Sequence, residues 1–296
     1  TYYKSLHSLT LSLIKNACAT KFSKEIESIN QLISYKNKID ISKNSKDSDN
    51  ILNFLIDILY LCRYKGTFTF SILARHGFIA ESLLRSMNDS CNITASRLNS
   101  FRQSIEGVTT ELIRDFNNVL AKSKTSNYFI QKYGHLRPST YDICSPAYYE
   151  RTNLFTEISK STKNPRNSEK FEFNNDEYDS IEQLLGTYCK NAITPNQLIF
   201  YISNSIKLRE KSKFEFTKLL SYALTLLTRW GELQGFSKED LSYIDFSDII
   251  YLSNVSTSED LYSNLSKRIQ HSRDSYHNCL NIKLPHIITD IEHIYV

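Results

Sequence analysis

Glycine and proline are scarce in this chain, seven and five residues among 296, or about 4% where roughly 12% is ordinary. Tight hairpins, collagen-like repeats and glycine-rich phosphate loops are therefore improbable, because they need backbone that glycine adopts without strain. No apolar run approaches the ~18 residues of a membrane span. The longest, Ile51 to Cys62, is interrupted by Asn53 and Asp57. Six cysteines (Cys18, Cys62, Cys91, Cys144, Cys189 and Cys279) stand singly, without a C-x-x-C pair or metal-ligand spacing. With no charged-then-apolar signal at the N-terminus, they predict reduced thiols, a cytoplasmic location and no metal. Excess charge of one sign is missing too: 36 Lys and Arg face 32 Asp and Glu, dispersed along the chain, for a net +4. No basic face for nucleic acid is expected.

What is present is helical pattern. Hydrophobic residues make up 41% and charged residues 23%, enough for a chain of this length to bury about 75% of its unfolded surface. Apolar residues recur at three- and four-residue spacing over most of the sequence, which predicts an all-α, irregular multi-helix protein. Helices are expected at roughly 2–35, 51–64, 67–88, 94–122 with a break near Ser104, 125–133, 177–191, 195–234, 238–252 and 258–280. Thr194-Pro195 and Ser237 to Asp240 are start signals, and Gly235 is a stop. Lys36–Asn50 and Lys160–Asp176 are polar stretches with little to bury. The organisation expected is a helical subdomain over 1–159, a polar loop over 160–176, a second helical subdomain over 177–281 and an extended tail over 282–296. The tail, and the opening at Thr1, suggest a piece of something longer.

Three places break this pattern. At ~100° per residue, Phe68, Ile72, Ile79 and Leu83 share a face with Arg75 in its middle. Arg85 points away, four residues after Glu81, and reads as a surface ion-pair residue. On the long helix, Leu198, Ile202, Ile206, Phe216, Leu220, Ala223 and Leu227 form a stripe interrupted by Arg209 and Lys213. An inward cation must meet a carboxylate, carbonyls, water or an anionic ligand, since burying it unpaired costs several kcal/mol. Glu210 or another acid could serve as counter-ion, which would make these charges purely structural. The third break is Tyr133-Gly-His-Leu-Arg-Pro-Ser-Thr-Tyr-Asp-Ile143, which gathers His135, Arg137, Tyr141 and Asp142 in eight residues. Gly134 permits a left-handed turn there and Pro138 disfavours helix at Arg137.

No G-x-x-x-x-G-K-[ST], G-x-G-x-x-G, H-E-x-x-H or G-x-S-x-G occurs. The segment Lys132 to Ile143, however, resembles the Y-G-H-L-R-P-G-T-Y-D-I signature of phosphoenolpyruvate-synthase-like phosphotransferases acting on acceptors other than pyruvate. Leu73-Ala-Arg-His-Gly-Phe-Ile-Ala80 with Leu84-Arg-Ser86, Arg209 to Lys218, and Gly235 to Ser242 are similar as well, so the likeness covers about 70–245. Ser139 stands where the signature has glycine. Such enzymes have an ATP-grasp domain, a helical acceptor-binding domain and a swivelling phosphohistidine domain, and the chain resembles the middle one only. Composition and closing segment look most like the branch that phosphorylates the side-chain amide of L-glutamine in bacterial capsule phosphoramidate biosynthesis.

The resemblance implies an acceptor site. Arg75, Arg209 and Lys213 would converge on a ligand carboxylate or incoming phosphoryl group. Glu210 and Asp142 would hold an α-ammonium, His135 or Asp142 would take a proton from the amide, and Tyr141 and Arg137 would orient these groups. It further implies no cofactor in this chain, ATP and Mg in the full-length enzyme, the two other domains as partners, and inactivity in isolation. The competing expectation is a helical scaffold or protein-interaction module whose inward charges are structural.

Overall fold

The computed structural model describes residues 2–39, 48–155, 171–252, 258–280, 282 and 285–290. The described residues are all-α, with no strand among them. In chain order the helices are α1 (Tyr2–Thr20), α2 (Ser23–Ile39), α3 (Ser48–Leu61), a π-helical turn (Cys62–Thr67), α4 (Phe68–Ser90), α5 (Ala95–Ser104), α6 (Val108–Leu120) and α7 (Ser126–Tyr133). A 3-10 turn (Tyr148–Glu150), α8 (Asn175–Cys189), α9 (Pro195–Gln234), α10 (Lys238–Leu241), α11 (Phe246–Leu252) and α12 (Ser258–Leu280) follow. None of them is long and apolar enough to cross a membrane.

The starts and stops follow local chemistry. Thr194 Oγ1 accepts from the Gln197 amide at 3.2 Å while the Gln197 side chain accepts from the Thr194 amide at 2.9 Å, a reciprocal cap for α9. Ser237 and Asp240 cap α10 in the same way. Gly235, at φ +84°, closes α9 in the left-handed region. The single helix expected over 238–252 is two helices, because Asp245 Oδ1 accepts the amides of Ser247 and Asp248 at 2.7 and 3.0 Å and starts α11 afresh. The helix expected over 2–35 is also two: Lys21 and Phe22 both have positive φ, 50° and 57°.

The chain divides into two compact units assembled from non-consecutive segments, in place of a single division at 160–176. Unit 1 comprises 1–43, 60–137 and 147–220, and unit 2 comprises 44–59, 138–146 and 221–296. In unit 1, Leu73, Ala80 and Leu84 of α4 pack with Ile181 and Leu185 of α8 and with Leu198, Tyr201 and Ile202 of α9. A second cluster joins Phe116, Phe129, Tyr133, Leu154 and Phe214. The part of the expected polar stretch that is described, 171–176, contributes to packing, and 160–170 lie outside the described residues. Phe171 and Phe173 stack around Phe101 with ring centroids 5.5 and 5.0 Å away, while Arg97 grips both oxygens of buried Glu177 at 2.8 Å. In unit 2, Leu55, Ala223, Leu227, Trp230, Leu241, Ile249 and Leu265 are buried. There Arg268 binds Asp248 at 2.6 Å and Arg273 binds Asp240 at 2.8 Å, which ties α12 to the starts of α11 and α10. Of the expected tail, Ile282 and 285–290 are non-helical and exposed, and 283–284 and 291–296 lie outside the described residues.

Candidate functional site

Thr125 caps α7 by accepting the Tyr128 amide at 3.2 Å, and the helix ends at Gly134. Gly134 is right-handed, φ −57°, so the left-handed turn expected there is not formed. Its glycine has another cause: a Cβ at this position would collide with the Ile130 carbonyl, the acceptor of the Gly134 amide. The chain then returns on itself, with the amides of Tyr148 and Tyr149 donating to the carbonyls of Leu136 and Gly134 at 2.8 and 3.1 Å. Arg137, buried at 8% exposure, is held by Glu150 across 3.6 Å. Its role is thus at least partly structural, with Glu150 as the partner.

His135 is the most perturbed side chain of the segment. Its ring stands edge-on to Phe214 of α9 at 4.8 Å. It is bonded to the Phe214 backbone, and Nε2 is buried without a hydrogen-bond partner. The bonded nitrogen is therefore Nδ1, donating to the carbonyl, which leaves the Nε2 lone pair as an acceptor. Burial, with the positive charges of Lys218 and Lys36, pulls the imidazole down to about 3 against the opposing Phe214 bond. It is neutral at any physiological pH. Lys218, on the same helix as Phe214, lies over the Phe214 ring at 4.2 Å and is paired with Glu215 at 2.8 Å. Burial lowers the Lys218 ammonium and Glu215 opposes that. The side chains of Lys218 and Glu215 are only 16% and 11% exposed.

The other expected site residues are placed differently. Arg75 is exposed, whereas the buried face of α4 carries Thr69, Leu73, His76, Gly77, Ala80, Leu84 and Met87. The face read from Phe68, Ile72, Ile79 and Leu83 is a half-exposed flank, since Phe68 is itself 64% exposed. Lys213 is exposed as well. Arg209 is half-buried and lays its side chain across Gly77, where a Cβ would come within 2.8 Å of Arg209 Cδ. The three cations thus do not share an interior hollow. Glu210 reaches the start of α6, where Gly107 has no capping side chain, and Oε2 accepts the Thr109 amide at 3.2 Å. A Cβ on Gly107 would collide with that carboxylate. Tyr141 and Asp142 are exposed in unit 2, and Asp142 Oδ1 accepts the Cys144 amide at 2.8 Å. Glu81 is bound by Arg102, not by Arg85.

Sequence reasoning missed Lys218 and Glu215. The single-stripe reading of α9 could not find them, because burial between 205 and 219 is not confined to one face. Leu208, Ser212 and Phe216 are buried along one side, Phe214 and Thr217 along another. It also missed Asp115 on α6, only 2% exposed, which receives Lys124 at 2.7 Å, Lys132 at 3.0 Å and the Tyr133 hydroxyl at 2.9 Å. The first two residues of the Lys132 to Ile143 segment therefore serve the α6–α7 pair. Among the described residues no group of three or more His, Cys, Asp and Glu could hold a metal ion. The chain matches no family model, no curated protein and no solved structure.

Proposed function

We propose that the chain is the acceptor-binding part of an ATP-dependent, phosphohistidine-relay kinase, with the side-chain amide of L-glutamine as acceptor. The observation that carries this reading is His135, a neutral imidazole in the Tyr133 to Ile143 segment with a buried, unused lone pair on Nε2. An amide nitrogen is a poor nucleophile unless a neighbouring group accepts its proton. Nε2 of His135 accepts an amide N–H and takes the proton once the nitrogen has gained its new bond. By then that proton is far more acidic than in the free amide, so a weak base suffices. Phe214 fixes the tautomer from behind. Lys218 and Glu215 supply fixed charges of both signs beside the ring. ATP and Mg belong to the ATP-grasp part that the resemblance implies, and no step here passes through them.

The reading is tested by titrating L-glutamine calorimetrically into the wild-type chain and two variants. Asparagine at 135 keeps a donor near the place of Nδ1 and loses the Nε2 acceptor, whereas glutamine extends an amide to the position of Nε2. His135→Asn is expected to weaken binding about tenfold, the consequence of leaving a polar group without its partner, and His135→Gln less. An absence of heat with wild type, or equal affinity in both variants, rejects the proposal.

A second reading is favoured by Glu210, which caps α6, and by the Arg137–Glu150 pair. Both are structural uses of charges expected in the site, as a helical scaffold would have. That reading predicts no saturable small-molecule binding near His135.

A further inference from the structure

Unit 2 holds a cavity of about 240 Å³ that does not include His135, on which the kinase proposal rests. Its floor is aliphatic, with Leu55 from α3, Ala223 and Leu227 from α9, and Ile249 from α11. The charged residues that line it are of one sign, Asp142 and Asp245, with Tyr141 and Ser242 beside them and no Lys or Arg. Asp142 has no ion-pair partner among the described residues, and its charge is felt by Cys144, whose thiol is raised by burial, by Asp142 and by Glu239, with Lys238 opposing them. Asp245 is held below the usual carboxylate range by its bonds from Ser247 and Asp248, with Arg268 adding a little from its own pairing with Asp248. Both aspartates are exposed, at the edge of an apolar hollow.

A hollow of this composition rejects other classes of ligand one by one. An anion meets two carboxylates. A wholly polar molecule leaves the leucine and isoleucine floor wet or loses its own hydration against it. A neutral hydrocarbon gains the floor and ignores the rim. We infer that the cavity binds a small organic cation with an unbranched aliphatic body, its ammonium at Asp142 and Asp245 and its chain on the floor. The inference does not rest on the kinase proposal, because His135 belongs to unit 1 and L-glutamine has no comparable apolar body.

Straight-chain primary amines from propylamine to octylamine, titrated into the whole chain at low ionic strength, test it. Each methylene placed on the floor is worth about 0.8 kcal/mol, so affinity should rise by up to about fourfold per carbon and then level off when the hollow is full. Asp142→Asn and Asp245→Asn both keep an acceptor for the local amides, and asparagine is as good a helix cap as aspartate. Each is expected to weaken hexylamine about fivefold, and salt raised to about 1 M should do likewise. Ala223→Leu should abolish binding by filling the floor. His135→Asn should leave it unchanged. The inference is overturned if hexan-1-ol binds as tightly as hexylamine, if the double asparagine variant binds the amine like wild type, or if affinity is indifferent to chain length.

Discussion

Phe22→Ala is expected to lower the stability of unit 1 by about 3–5 kcal/mol, the range for emptying a well-packed aromatic site. Phe22 is 1% exposed, stacks with Tyr201 at 6.2 Å and meets the edge of His76 at 5.3 Å. Its backbone and that of Lys21 are left-handed, a conformation costing roughly 1–2 kcal/mol per non-glycine residue. Burial of the ring, worth about 1.5–3 kcal/mol, is what holds the break between α1 and α2. With alanine the strain persists and its compensation is gone, so the two helices should also fray at their junction. Urea unfolding followed by far-ultraviolet circular dichroism should show a lower midpoint, and amide exchange at Ser23 to Ile26 should accelerate. Phe22→Leu, which keeps most of the volume, should cost under half as much. A midpoint within error of wild type would remove Phe22 from the account of this junction.

That junction also shows where legibility ended. Composition and three-to-four spacing read the fold class correctly, and the caps at Thr194, Ser237 and Gly235 were visible because each is a side chain or a glycine acting on its own backbone. The break at Lys21-Phe22 carries no such mark. It exists because a distant pocket on α9 and α4 accepts the ring, and tertiary packing outweighs local preference. The start of α6 is similar, since its acceptor arrives from Glu210, 101 residues away in sequence.

The candidate site was legible in part for the same reason. His135 stood out through its surroundings in the chain, and the structure gives it a buried, unpartnered nitrogen. Arg75 and Lys213 were assigned inward from helical wheels that assume a single buried face. On α4 the buried face is centred on His76 and Gly77 instead, and on α9 burial extends around the helix. A wheel orders the residues of a helix around its axis, but it does not say how many neighbours that helix has. Lys218, whose side chain is 16% exposed, sits opposite Phe216 on α9 and was invisible to that reading.

Asp115 carries the second large effect. Burial alone would raise its carboxyl; hydrogen bonds from Lys124, Lys132 and Tyr133 outweigh that and hold it down to about 2. Because the folded value lies below the unfolded one of about 3.9, the group stabilises the fold above pH ~4, and this contribution disappears as pH falls toward 2. The shift corresponds to about 2–3 kcal/mol. Asp115→Ala should cost about 3 kcal/mol at pH 7. That is the low end for breaking a buried pair, because Lys124 and Lys132 are 35% and 27% exposed and can turn partly to water. The same variant should flatten the acid limb of the stability profile between pH 4 and 2, since the residue whose titration produces it is gone. Glu111, which also binds Lys132, offers the control: Glu111→Ala should cost under 1 kcal/mol, as half-exposed pairs do, and leave the Asp115 contribution to the acid limb intact. Urea midpoints measured at each pH for wild type and both variants would decide the matter. A wild-type profile unchanged from pH 4 to 2, or an Asp115→Ala profile parallel to wild type across that window, would show that the three donors do not act on this carboxylate.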